Sequence, residues 1–130
     1  EGVLISHVII PSIDSVSSCF SYKIVTDILR NKLNFKGIIF SDDIYMSALT
    51  LKDQSDNNLI TDEEVAKTAV KAIKAGINVI MSSKKNYLNL VNQIKLLVLD
   101  DEDAKSKIDA SVKYILLAKN KLNLFGKFNE

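Results

Sequence analysis

Three strand-sized apolar runs limit what this chain can become: Val3–Ile10, Ile38–Ser41 and Ile77–Met81. Each holds β-branched residues, and Pro11 stops the first. Helical patterns separate them. Val25, Leu29 and Leu33 recur at i, i+4 and i+8 behind Ser21, a capping residue. Thr61 to Glu64 reads as a capping box, followed by a stripe of Val65, Ala69, Ala72 and Ile73. Gly76 stands where a left-handed residue ends that helix. Tyr87 to Val98 and Ile108 to about Leu122 supply two more helices. The pattern predicts an α/β fold in the order β-α-β-α-β-α-α, with parallel strands covered by helices. Right-handed crossovers put the three strand ends on one edge, so His7, Asp42-Asp43 and Ser82-Ser83 face a common rim.

Composition narrows the function classes. The chain has 130 residues, enough for one modest domain with a core. Seventeen basic and 16 acidic residues leave a formal charge of +1, which calls for neither nucleic acid nor an anionic membrane. The apolar runs fall far short of the roughly 20 residues of a membrane span. The single Cys19 excludes an internal disulfide and a cysteine metal cluster. Neither a metal nor a cofactor is expected. With one free thiol and no visible signal-peptide pattern, the expected location is cytoplasmic. The chain opens at Glu1-Gly2-Val3 without Met and already inside a strand, so the expectation is a piece of something larger.

The chemistry concentrates at Gly37-Ile38-Ile39-Phe40-Ser41-Asp42-Asp43-Ile44-Tyr45-Met46, an apolar strand ending in two carboxylates. An ionised carboxylate is costly to bury without a partner, so the strand should open there onto a polar cleft. Sites in α/β folds gather outside the carboxyl ends of strands. Alternation puts Asp42 on the face of Ile38 and Phe40, and Asp43 on the other. Both faces are apolar, so periodicity does not choose between the two. The polar stretch Thr50 to Leu59 reads as a loop, and Gly126 to Glu130 as a frayed tail. A receiver-like regulatory domain, with strand-end carboxylates holding Mg²⁺, is the alternative. It would want acidic residues at the end of the first strand, which here ends in Ile10-Pro11.

Gly37 to Met46 resembles the strand-Ser-Asp-Asp-aliphatic-x-Met segment of glycoside hydrolase family 3, in its bacterial β-N-acetylhexosaminidase branch. Three further stretches are similar to that family in the same order. They are Val3 to Val8 with Asp14 downstream, Ser21 through Leu29-Arg30 to Gly37, and Ile108 to Phe125. The family fold is a (β/α)₈ barrel, which needs about 250 residues. The resemblance therefore implies one partial catalytic domain over residues 1–130: the last three strand-helix units and the closing helix. It implies retaining hydrolysis of terminal β-linked N-acetylhexosamine, through a covalent glycosyl-enzyme intermediate. The substrate would be a carbohydrate, such as a peptidoglycan-derived muropeptide. By match to the motif, Asp42 is the nucleophile; Asp43 would then orient its neighbours or cap the following segment. His7 matches a strand-end histidine and is expected to line the sugar pocket. The acid/base of this branch is a His on a loop after an earlier strand, near a sugar-binding Lys-His pair. The resemblance puts both outside this chain, which alone should be inactive.

Overall fold

A computed structural model describes residues 2–46, 60–83 and 87–125. The expected loop at 50–59 and the expected tail at 126–130 lie outside the described residues. Three strands form one parallel sheet: β1 (Gly2–Ile5), β2 (Ile38–Asp43) and β3 (Val79–Met81). Among the described residues the helices α1 (Lys23–Lys32), α2 (Asp62–Ala75), α3 (Tyr87–Val98) and α4 (Glu102–Lys121) accompany them.

The strands lie in chain order, β1-β2-β3. A receiver-like domain would seat its first strand between the second and third. The observed order therefore disfavours that alternative. Gly2 pairs with Ile38 and Ile5 with Ser41, while Phe40 pairs with Val79. The β2–β3 register then shifts before Asp43 meets Met81.

Alternation gives the sheet two unlike faces. Ile39 and Ser41 are fully buried, and Val3, Ile5 and Ile80 pack towards the same core. Against them lie Val25 of α1, Leu90 of α3, and Val65, Ala66, Ala69 and Ala72 of α2. The alanines let α2 approach closely. Burying a side chain such as Ile39 contributes about 1.5–3 kcal/mol. The other face is less covered: Leu4 is 51% exposed, and Ile38, Phe40 and Val79 are only part-buried.

Helix ends follow local chemistry. The Thr61 hydroxyl accepts the Glu64 N–H, and the Glu64 carboxylate accepts the Thr61 N–H at 2.7 Å, so the capping box forms. Gly76 ends α2 at φ 109°, and a Cβ there would also meet Thr26 Oγ1 at 2.6 Å. Both constraints exclude a side chain. Ser21 Oγ accepts the Ile24 N–H at the start of α1, and donates to Asp14 at 2.6 Å.

Several expectations need correction. The first strand stops at Ile5, not Ile10. Val8, Ile9 and Ile10 are exposed and belong to a loop that folds back, with Ile9 bridging Ser17 and the Val8 carbonyl accepting from Ser18. The second strand runs two residues further than Ser41 and includes both aspartates. The third starts at Val79 rather than Ile77. The α1 segment, expected as an ordinary helix, is wound with π-type i to i−5 bonding, as in Leu33 N–H to the Ile28 carbonyl at 2.8 Å.

Candidate active site

The last residues of β2 meet segments from both neighbouring strands. The His7 ring, two residues beyond β1, has its Nε2 3.1 Å from the Asp43 carbonyl, as donor in the tautomer protonated there. Phe20 stacks on the same ring with centroids 6.4 Å apart. From the other side, the Ser83 N–H donates to Asp43 Oδ1 at 3.1 Å. That oxygen also accepts the Tyr45 N–H at 3.0 Å, which starts the helical turn at 44–46. So the structure brings together His7, Asp43 and Ser83, one from each strand end.

Asp42 and Asp43 are treated differently. Burial disfavours the Asp43 carboxylate, but the Ser83 hydroxyl and N–H, the Tyr45 N–H and nearby His7 outweigh it. The net result holds Asp43 below the usual carboxylate range. Asp42 is part-buried and belongs with Ile38 and Phe40 on the less covered face. Its Oδ1 accepts the Asp43 N–H at 2.8 Å. The Phe40 ring lies over Gly2, where a Cβ would come within 2.7 Å of its edge. That packing leaves the Asp42 side of the strand flanked by an aromatic surface.

Cys19 is fully buried in the core beneath this site. Its thiol is pushed up to about 11, chiefly by burial and further by the Asp42 charge, against the Asp42 N–H. No periodicity marks it, because it sits in a single 3₁₀ turn, Ser18–Phe20. Ser83 was placed at the rim by pattern alone, but its bond to Asp43 has no sequence signal.

A cavity of about 730 Å³ opens beside His7, lined by Ile9, Val16, Phe20, Tyr22 and Lys71 among others. Asp42 does not line it. Its walls are mainly apolar, and its acidic residue, Asp103, lies 3.8 Å from Lys74. That is no setting for carboxylate chemistry, so the strand end is the stronger candidate. Among the described residues no group of three or more His, Cys, Asp or Glu could hold a metal. Nor, among those residues, is any helix long and apolar enough to cross a membrane.

Residues 1–118 match the glycosyl hydrolase family 3 N-terminal domain, and the chain belongs to that family. A β-hexosaminidase of Nitrosomonas eutropha is 38% identical over 81 residues, which are 62% of this chain and 20% of that protein. The fold matches the β-N-acetylglucosaminidase of Thermotoga maritima with a TM-score of 0.67 and 28% identity, over 98% of this chain and 26% of that one. It matches a β-N-acetylhexosaminidase of Beutenbergia cavernae with a TM-score of 0.70 and 25% identity, over 92% of this chain and 33% of that one. This chain thus spans well under half the length of the proteins it matches.

Proposed function

We infer that residues 1–130 form the C-terminal part of a (β/α)₈ catalytic domain that hydrolyses terminal β-linked N-acetylhexosamine with retention. The observation that carries this is Asp42: a carboxylate at the carboxyl end of the middle strand, on the less covered sheet face. Strands in chain order, with α1 and α2 contributing to one core, suit a singly wound barrel. A barrel needs about 250 residues, so further strands come from beyond these 130.

In this reading Asp43 N–H holds Oδ1 of Asp42, and Oδ2 attacks the anomeric carbon. The new carbon–oxygen bond forms as the glycosidic bond breaks. The leaving oxygen takes a proton from an acid supplied by another part of the protein. Water, deprotonated by the same group, then releases the sugar and frees Asp42. Asp43 is engaged with Ser83 and Tyr45 and is no candidate for the acid. His7 lines the sugar pocket. A muropeptide with a terminal N-acetylglucosamine fits the substrate class.

The test uses the full-length protein. It should release the chromophore from an aryl β-N-acetylglucosaminide. A slow fluorinated glycoside should leave its sugar mass on the peptide carrying Asp42. Label on a different residue would defeat the nucleophile assignment, and no turnover of any β-N-acetylhexosaminide would defeat the substrate class.

A further inference from the structure

We propose that Asp43 is a positioning residue: it sets the orientation of the Asp42 carboxylate by tying the end of β2 to both neighbouring strand ends. The proposal rests on the reading of Asp42 as nucleophile. Its basis is a continuous set of contacts through one residue. The Asp43 carbonyl meets His7 Nε2 at 3.1 Å, on the β1 side. The Asp43 carboxylate accepts Ser83 N–H at 3.1 Å, on the β3 side, and Tyr45 N–H at 3.0 Å, along its own chain. The Asp43 N–H in turn donates to Asp42 Oδ1 at 2.8 Å. A shift of Asp43 as a whole, which would move the N–H that holds Asp42, therefore strains bonds to both neighbouring strand ends.

The clamp is needed because local regularity fails there. The β2–β3 register shifts between Phe40 and Asp43, so the ladder is irregular beside Asp42 before Asp43 pairs with Met81. Asp43 adds side-chain bonds to that pairing. A charged acceptor suits that task, since hydrogen bonds to ionised groups are about twice as strong as neutral ones. Holding the attacking oxygen in line matters to rate, because a misplacement of about 1 Å can cost on the order of 10²-fold. The same contacts give His7 a second role. Its Nε2 faces the strand end, so it acts on Asp42 through Asp43.

The experiment compares Asp43→Ala, Asp43→Asn and His7→Gln in the full-length enzyme, by steady-state kinetics and by the rate of sugar labelling at Asp42. Asp43→Ala should lower kcat roughly 10–100-fold, with KM changed less than about threefold. Asp43→Asn keeps an acceptor oxygen and should recover to within about fivefold of wild type. His7→Gln, a residue that also lines the sugar pocket, should raise KM and, through its altered hold on the Asp43 carbonyl, lower kcat as well, a readout that stands even if Asp43→Ala fails to fold. Labelling at wild-type rate in Asp43→Ala would overturn the clamp and leave the nucleophile assignment standing. So would an Asp43→Asn variant as slow as Asp43→Ala, or a His7→Gln variant that changes KM alone. Label on a residue other than Asp42 in the wild type would overturn both.

Discussion

The two ends of the sheet are built from the same kinds of polar contact but to different ends. At the amino ends of β2 and β3, Arg30 donates to the Phe35 carbonyl at 2.9 Å and the Gly37 carbonyl at 2.6 Å. It also bonds Asn78, whose side-chain oxygen accepts the Ile39 N–H at 2.9 Å and whose amide reaches Ser111 of α4 at 3.2 Å. The Tyr114 ring covers the guanidinium at 4.1 Å. Burial lowers the Arg30 pKa, but from so high a starting value that the charge stays. A cation thus neutralises carbonyl dipoles, and four segments are joined. At the carboxyl ends the charges are two adjacent carboxylates, one tied down and one on the less covered face. A closed cationic network serves stability; under the proposed function, the anionic strand end serves chemistry. In barrel folds this division between the two ends is general.

The largest effect should come from Asp42→Asn. Turnover of the aryl β-N-acetylglucosaminide should fall by at least about 10³-fold, since the proposed covalent step would lose its nucleophile. The thermal midpoint should hold, because the Asn oxygen can still accept the Asp43 N–H. Turnover within tenfold of wild type would erase the distinction between the two ends.

Arg30→Ala should do the reverse. It leaves the Phe35 and Gly37 carbonyls and the Asn78 oxygen short of a donor, a loss of about 2–4 kcal/mol in unfolding free energy. Activity per folded molecule should stay within about threefold. Denaturant unfolding and active-site titration separate the two. A variant that keeps its stability but loses turnover would show that the amino end is catalytic after all.

Much of this was legible in the sequence, and the reasons for the rest are physical. The Thr61–Glu64 capping box, the left-handed Gly76 and the bounds of α3 depend on residues within one turn, so local chemistry was enough. The Asp pair at a strand end was visible because charge terminating an apolar run is rare. The length of β1 was not visible. Val8 to Ile10 are as apolar as a strand, but an antiparallel bridge to Ser17 and bonds from Ser18 take their place in the fold. The π winding of α1 was hidden too. Its sequence suits an ordinary helix, while Arg30 must reach Phe35, Gly37 and Asn78, contacts set by the sheet. The strand-end clamp depends on Ser83, 40 residues from Asp43, a separation that no local pattern encodes.

Cys19 gives the smallest effect and the finest distinction, because no thiol lies at the Arg30 end. It is fully buried, and burial is the first cause of its raised pKa of about 11, with the Asp42 charge a lesser one. At pH 8 the thiol is therefore protonated and enclosed, and an aromatic disulfide reagent should leave it unmodified in the folded protein. Unfolding in urea should expose it to rapid reaction. The linkage has a definite sign: the unfolded thiol ionises near pH 8.5 and the folded one near 11, so its stabilising contribution is full below the first value and lost as pH rises through the second. Asp42→Asn removes the lesser cause alone, so labelling at pH 9 should quicken by no more than about threefold. A tenfold increase would mean that the Asp42 charge, not enclosure, keeps the thiol neutral, and that the nucleophile and Cys19 are coupled more tightly than their burial implies.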